Sequence, residues 1–419
     1  MANIYRTPDD ININVHNALT LKNGDVLSLR ELEHGVQNLR LPHNVKAKIG
    51  IEPSNHGNLQ TVDDVGYSDL VISRTRTNKI GIQAIVNNFG NHSTGTHQGG
   101  IVLNIAEPLW SNDNLYLQYM HTLDGINDTA TKSNHQNFYA SYRYPFRNWQ
   151  LQLSYQYGRH TQLLNGFNHN PIYKGKTARK QAQISRNLYR NSDTKITGYS
   201  IISHKDSQYY IDDLEILVQR RKNSSYELGV DIEKFFDNQA KLNLNIGFNK
   251  GVGAFHAIPS PERYYRDVDS RPLIWQASGN YHLPINTKYH QWGLNTRFAA
   301  QYSSDKLPTA EQFTIGDRYA VRGFDGTRLL SGDKGMVLGQ EVYYRLPTKN
   351  PHQIYFAIDK GWVSADGVKD RSYYQATGSV LGYRFGTKHL NFDGYAGIPI
   401  SGEHLSKNAS VGVQLAWMY

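Results

Sequence analysis

One pattern constrains the fold of this chain more than any other: from about Lys79 onward, apolar and polar residues alternate one by one. In the stretch Trp149–Tyr157, every odd position is apolar or aromatic and every even position is Gln or Ser. The stretch Leu242–Asn249 repeats the pattern with Leu, Ile and Phe against Asn and Gly. A period of two is typical of a β-strand whose two faces meet different surroundings. Because the pattern recurs over about 340 residues in segments long enough to cross a bilayer, it predicts an all-β transmembrane barrel.

The composition agrees with this prediction. The mean hydropathy is −0.60, and no window holds the roughly 18 consecutive apolar residues that a transmembrane helix needs. The chain has 29 tyrosines against 14 phenylalanines, which favours a surface that is apolar yet touches lipid headgroups. Composition alone leaves a soluble all-β protein as the alternative, and the extent of the alternation argues against it.

The number and spacing of the alternating segments predict the topology. Sixteen segments are counted, an even number, as a single-chain bacterial barrel requires. The connections at 144–147, 237–239 and 386–387 are tight, whereas those at 161–177, 253–271 and 305–334 are long. Short turns are predicted to face the periplasm and long loops the outside. The predicted strands lie near residues 80–90, 97–107, 113–123, 134–145, 148–160, 178–190, 193–206, 214–236, 240–252, 272–284, 290–304, 335–347, 352–364, 375–386, 388–400 and 408–419.

Residues 1–75 differ from the barrel, which is predicted to span residues 76–419. Ser28 followed by Glu31 has the form of a capping box, and apolar residues then recur at helical spacing until Pro42. The segment Val45–Ile51 alternates as a strand does. We therefore expect a small periplasmic α+β module entering the barrel from the side of the short turns. The edge of its strand could bind an extended partner by β-augmentation, and the candidate binding residues are Val45, Ala47 and Ile49.

The long connection at 305–334 carries the candidate functional residues. Its two legs, 17 residues from 305 to 322 and 12 residues from 322 to 334, both exceed the ~25 Å height of the apolar band at ~3.3 Å per residue. We expect the loop to fold into the lumen and to place Arg322 beside Asp359, which alternation directs inward. Glu341 and Arg345, on the preceding strand, could extend the polar network. The predicted anchoring or gating residues are Val321, Arg322, Gly323, Phe324, Glu341, Asp359 and Gly361.

Several other functions lack a sequence signal. The chain has no cysteine and its 17 histidines are dispersed, so no metal site, cofactor or hydrolytic centre is predicted. The segment Gly175-Lys176-Thr177 lacks the first glycine of a phosphate-binding loop, since position 170 is Asn170. The net charge of +9 is scattered along the chain instead of forming a run, which does not favour nucleic acid as a partner. We predict that the protein is not an enzyme.

Five short motifs resemble those of a known protein family. The Val321–Phe324 motif, the segment Ala357–Gly361, Leu27–Gly35, Asn87–Gly90 and Gln219-Arg220-Arg221 resemble the TpsB transporters of two-partner secretion, within the Omp85 superfamily. Those transporters include exporters of contact-dependent inhibition toxins, haemolysins and adhesins. Family members carry a signal peptide, a plug helix and two POTRA domains, so the resemblance implies that residues 1–75 hold part of the second POTRA domain.

The resemblance also implies a function and partners. It points to an outer-membrane pore that secretes one large TpsA-type exoprotein from the periplasm to the cell surface without nucleotide. Outer-membrane lipid, lipopolysaccharide and the barrel-assembly machinery are the other implied partners, and the terminal strand, ending in Trp417 and Tyr419, resembles an assembly signal. Two alternatives stay open, a passive diffusion porin and an Omp85-type insertase that assembles other barrels.

Overall fold

The computed structural model describes residues 2–6, 14–53, 68–90, 94–123, 134–288, 290–365 and 372–419. Within these residues no helix is both long and apolar enough to span a membrane. The first part is a small module of three strands and two helices, and the remainder is a barrel. The module elements are β1 (Ala2–Arg6), α1 (Val15–Ala18), α2 (Leu29–Leu39), β2 (Val45–Pro53) and β3 (Ser68–Arg76).

The module sheet has β3 at its centre, pairing in parallel with β1 and antiparallel with β2. In the described residues β2 is thus an edge strand. Helix α2 begins at Leu29, as the sequence predicts, but the Ser28 side chain makes no capping hydrogen bond. The Ser28 half of the expected capping box is therefore absent. Glu31 in the first turn still stabilises the helix, because its negative charge lies at the positive end of the helix dipole. Leu39, Ala47 and Ile72 form the module core and are almost fully buried.

Sixteen long antiparallel strands form the closed barrel, which confirms the predicted fold class and strand number. The first barrel strand pairs with the last, which closes the sheet. The barrel strands are β4 (Ile80–Asn87), β5 (Gln98–Ala106), β6 (Asn114–Thr122), β7 (Asn134–Phe146), β8 (Trp149–Leu163), β9 (Ile172–Arg190), β10 (Thr194–Ile211), β12 (Arg221–Phe235), β13 (Lys241–Val252), β14 (Leu273–Asn286), β15 (Gln291–Tyr302), β18 (Lys334–Arg345), β19 (His352–Ala365), β20 (Ser372–Gly386), β21 (Leu390–Gly402) and β22 (Ser410–Met418). The remaining strands, β11 (Leu214–Glu215), β16 (Phe313–Ile315) and β17 (Leu330–Gly332), are short, and a third helix, α3 (Arg263–Arg266), lies between β13 and β14.

Several strand boundaries differ from the prediction, and the differences that change a connection lie around β8, β9 and β12. The prediction of a long loop at 161–177 is wrong, because β8 continues to Leu163 and β9 already starts at Ile172. The predicted strand at 214–236 begins only at Arg221, since the short strand β11 and a 3₁₀ turn precede it. Beyond the apolar band both faces of a strand meet water, so backbone pairing continues there without the alternation that reveals it.

The barrel surface is apolar outside and polar inside. Many large apolar side chains are exposed on the outer face, for example Leu381 and Val411, each 60% accessible. In a soluble protein such a surface would be a liability, whereas in a barrel it faces lipid. Lys360 also points outward, as its register predicts, and its ammonium lies 5.2 Å from the ring centre of Trp362. The cation–π contact lets this lysine remain on the lipid side.

The module packs on the end of the barrel that carries the short turns. Arg74 and Arg76 both reach Glu107 in the β5–β6 turn, at 2.6 Å and 2.7 Å. Glu107 and Arg74 are almost completely buried. The Asn38 side chain donates to the Arg147 carbonyl oxygen in the β7–β8 turn at 2.8 Å. These buried polar contacts fix the module to this rim.

Candidate functional site

The connection between β15 and β18 folds back against the inner wall of the barrel. Strands β16 and β17 pair as a small hairpin within it. Although the segment is polar in sequence, Ile315, Val321 and Phe324 are at most 1% exposed. They pack in one cluster with four side chains from the wall and from the β21–β22 connection, namely Val337, Val363, Ala376 and Leu405. Burial of these apolar groups stabilises a packed loop over a freely hanging one.

Arg322 lies at the tip of this loop and contacts Asp359 on β19. Its Nε donates to Asp359 Oδ2 at 2.9 Å and its Nη2 to Oδ1 at 3.0 Å, a bidentate arrangement. The Arg322 backbone amide also donates to Oδ2, at 2.8 Å. The Asp359 side chain is fully buried, and charge-assisted bidentate pairs of this kind are the stronger ones.

Three arginines and three carboxylates share one network around this pair. Arg297 on β15 contacts Asp359 at 2.6 Å and also donates to two carbonyl oxygens of the loop. Glu341 on β18 bridges Arg322 at 2.5 Å and Arg384 at 2.7 Å. Arg384 continues to Asp393 at 3.0 Å. Formal charges in the network balance, and each of its two most buried carboxylates has two guanidinium partners.

Sequence reasoning missed Arg297 and Arg384. Arg297 lies in the middle of β15 and Arg384 near the end of β20, and the sequence pattern does not indicate which of these strands the loop contacts. The expected extension through Arg345 differs from what the structure shows. Arg345 is the last residue of β18 and is exposed, and Arg384 instead contacts Glu341.

Glycines let the loop tip lie directly on the wall. Gly323 has φ +110°, a conformation that side chains rarely adopt. A Cβ there would stand 2.7 Å from the Ile398 carbonyl oxygen, and one at Gly378 would stand 2.2 Å from that of Arg322. At Gly361 a Cβ would meet Val321 at 2.8 Å. Backbone therefore touches backbone where the loop meets β20 and β21, whereas at β19 the Val321 side chain lies against a glycine.

The loop leaves a polar cavity of about 610 Å³ on the opposite side of the lumen. Tyr319 and Arg318 line it from the loop, and Gln118, Asn137 and Gln156 line it from β6, β7 and β8. Amide and hydroxyl side chains can hydrogen-bond a passing polypeptide without holding it by apolar contact. The loop thus lines one side of this cavity, and polar side chains of the barrel wall line the other.

The predicted strand edge in the module has a different side-chain arrangement from the one expected. Val45 and Ala47 are buried in the module core and Ile49 is half-buried, whereas Lys46 and Lys48 are exposed. The Ala47 carbonyl oxygen accepts a hydrogen bond from Arg40 Nε at 2.7 Å. A partner strand added at β2 would thus meet backbone groups and lysines, not the three apolar side chains.

Comparison with known proteins identifies the family. A family model described as haemolysin secretion/activation protein ShlB/FhaC/HecB matches residues 66–385. The chain belongs to this family. This membership confirms the resemblance to TpsB transporters of the Omp85 superfamily.

Curated relatives and solved structures agree. The outer membrane transporter CdiB-2 of Burkholderia pseudomallei is 24% identical over 388 residues, covering 91% of this chain and 64% of the relative. The hemolysin transporter protein HpmB of Proteus mirabilis is 23% identical over 329 residues, covering 77% and 55%. The chain thus spans less than two thirds of the length of these relatives. With a barrel of this kind, they indicate an outer-membrane location.

Among solved structures, CdiB from Acinetobacter baumannii has a TM-score of 0.85 at 28% identity, covering 100% of this chain and 74% of that one. CdiB from Escherichia coli has a TM-score of 0.86 at 23% identity, covering 97% and 73%. BamA from Haemophilus ducreyi shares the fold more distantly, with a TM-score of 0.62 at 12% identity, covering 100% and 84%.

Proposed function

We propose that this chain is the membrane pore and adjoining module of a two-partner secretion transporter, which passes one large exoprotein from the periplasm to the cell surface. The observation that carries the proposal is the packed loop, whose tip is held by the Arg322–Asp359 pair within a balanced network. A permanently open pore has no need of such a removable obstruction. The transport step consumes no nucleotide in this proposal.

Residues 1–75 are proposed to be part of a POTRA domain, the second of two, on the periplasmic side, with the barrel spanning residues 76–419. The described α+β elements and the docking of this module on the short-turn rim support that assignment. Its open strand β2 offers an edge to an extended exoprotein segment, and Lys46 and Lys48 would favour segments with acidic residues. Outer-membrane lipid, lipopolysaccharide and the barrel-assembly machinery are the other proposed partners.

The gating proposal concerns Val321, Arg322, Gly323, Phe324, Glu341, Asp359 and Gly361. The two apolar residues bury the tip, the glycines allow close approach, and the charged residues orient it. Because the ion pairs are partly desolvated, partial displacement of the loop leaves charges poorly paired. This favours two discrete positions, a seated loop at rest and a displaced loop during passage.

A secretion assay tests the function. The transporter is co-produced with a candidate TpsA-type exoprotein from the same organism, in cells lacking other transporters of this family, and surface exoprotein is measured by protease accessibility. We expect surface exposure with the native chain and periplasmic retention when Lys46 and Lys48 are both replaced by Glu. Lys22→Glu, also exposed in the module, serves as the matched control.

Two further measurements, solute uptake and the amounts of other outer-membrane barrels, separate the alternatives. A diffusion porin would raise uptake of small solutes without exporting any exoprotein. An insertase would lower the amounts of other outer-membrane barrels when it is depleted. Either result, with no exoprotein at the surface, contradicts the transport proposal.

A further inference from the structure

A row of polar side chains crosses the outer, lipid-facing surface on four neighbouring strands. In the strand register, Gln136 of β7 lies opposite Arg159 of β8, Arg159 opposite Lys176 of β9, and Lys176 opposite Gln208 of β10. Arg159 shares its face with Trp149, which belongs to the apolar outer surface. This row therefore interrupts that surface with two cations flanked by two amides.

The two cations oppose each other without a carboxylate between them. Arg159 and Lys176 are direct cross-strand neighbours and both are exposed, and like charges in this position are destabilising. Among the described residues neither has an ion-pair partner. Other outward lysines nearby do: Lys174 contacts Asp213 at 2.6 Å, and Lys222 contacts Asp206 at 3.5 Å. The pair is thus a position where an added anion would relieve repulsion.

The level of the row indicates where such an anion would come from. One step toward the short turns, Tyr157 begins the aromatic and apolar part of β8, which continues to Trp149. Tyrosines commonly mark the depth of the lipid headgroups. Lys180, two same-face positions deeper than Lys176 and also exposed, can extend its ammonium toward the same layer. Because β8 and β9 remain paired through this level, the cations project from a regular sheet.

We propose that Arg159 and Lys176, assisted by Lys180, form a binding site for the phosphate groups of a phosphorylated glycolipid in the outer leaflet. The inference rests on the proposed orientation, with the short turns in the periplasm. A guanidinium can bind two phosphate oxygens at once, and the ammonium groups add point charges. Gln136 and Gln208 supply hydrogen-bond donors for the neighbouring sugar hydroxyls.

Native mass spectrometry of the purified full chain tests this site, using lipid A carrying two phosphates as the probe. We expect the Arg159→Gln/Lys176→Gln double variant to bind about tenfold more weakly than the native chain. The matched control is Lys174→Gln, on the same strand and face but already paired with Asp213, and it should bind as the native chain does. Heat-modifiable migration on gels verifies that each variant is a folded barrel.

Two further arms identify the ligand. Lipid A from which the phosphates have been removed should bind the native chain and the double variant equally weakly. Millimolar inorganic phosphate should not displace the intact lipid. The proposal is overturned if the double variant binds intact lipid A as tightly as the native chain does. It is also overturned if the native chain binds the dephosphorylated lipid as tightly as the intact one. Displacement by inorganic phosphate would overturn the lipid assignment in favour of a simple anion site. Since none of these measurements involves secretion, their failure would leave the transport function untouched.

Discussion

Arg322 holds Asp359 by three hydrogen bonds at once, two from its guanidinium and one from its own backbone amide. The side chain and the main chain of the loop tip are thus fixed to the same carboxylate. Asp359 in turn also accepts from Arg297, at 2.6 Å. The carboxylate is the common point of the network, and the arginines around it are partly redundant.

This redundancy predicts an order of mutational effects. Asp359→Ala should impair secretion most, because it leaves Arg297 without a carboxylate and the Arg322 amide without an acceptor; breaking a buried pair costs on the order of 3–5 kcal/mol. Arg322→Ala should cost less, since Asp359 keeps Arg297 and Glu341 keeps Arg384. Glu341→Ala should cost least. Secreted exoprotein at matched barrel levels is the measurement.

A double-mutant cycle on Arg322 and Asp359 tests the coupling directly. We expect a coupling energy of about 1–3 kcal/mol, and additive effects would mean that the tip is held by other contacts. Arg322→Lys should restore only part of the function, because an ammonium cannot reproduce the planar bidentate contact. Full activity of that variant would show that charge alone suffices.

The glycines of the loop provide a matched pair. Gly323→Ala should unseat the tip, since its Cβ would meet backbone atoms of β20 and β21 at 2.7–3.1 Å. Gly326→Ala has a comparable backbone conformation, φ +76°, but its Cβ would meet nothing closer than 3.8 Å. Both variants share the cost of a side chain at positive φ, so the difference between them isolates contact with the wall. Protease sensitivity of the loop should rise in the first and change little in the second.

Removal of the loop should open the pore. Replacing residues 308–330 by a short Gly-Ser linker keeps Asp333, whose side chain accepts from the Leu307 amide, and keeps β18 intact. We expect larger and steadier single-channel currents in planar bilayers than the native chain gives. Unchanged conductance would mean that the packed loop does not limit ion flow, and the gating proposal would then be wrong.

Docking of the module should weaken in acid because of His34. Burial lowers the pKa of this histidine, and Lys195 and Arg190 nearby add to the effect, although the hydrogen bond to the Arg147 carbonyl opposes it. Its Nε2 lies 2.6 Å from that oxygen, so the neutral ring donates there. The docked state therefore binds fewer protons than the undocked one. The contribution of His34 to docking is therefore present at pH values above the ordinary histidine pKa of about 6.5 and is lost as the pH falls below that value.

Spin labels can measure this response, because the chain has no native cysteine. Labels at Lys46→Cys in the module and Lys349→Cys in the β18–β19 turn should report one distance at pH 7.5 and a broader distribution at pH 5. With His34→Gln, which can donate to the same carbonyl but does not titrate, the distribution should no longer depend on pH. A pH response that survives this substitution would assign the effect to another group.

Much of the barrel could be predicted from the sequence, since lipid on one side and water on the other impose a period of two on every spanning strand. The prediction failed where that asymmetry ends: above the membrane, β8 and β9 stay paired but no longer alternate, so residues 161–177 read as a loop. In the network, Asp359 stood out as a carboxylate in mid-strand. Arg297 and Arg384 were missed because their relevance depends on which strands the loop crosses, a long-range relation that local pattern does not contain.

The close contact of Gly323 with Gly378 and Gly397 has a consequence for exchanging parts between relatives. Three glycines, distant in sequence, form one surface without side chains, so a single added methyl on either side displaces the other. A chimera that receives its loop from a relative will keep the seated arrangement only if the facing segments of β20 and β21 come from the same donor. The loop and the facing wall must therefore be exchanged together, although some fifty residues of chain separate Gly323 from Gly378.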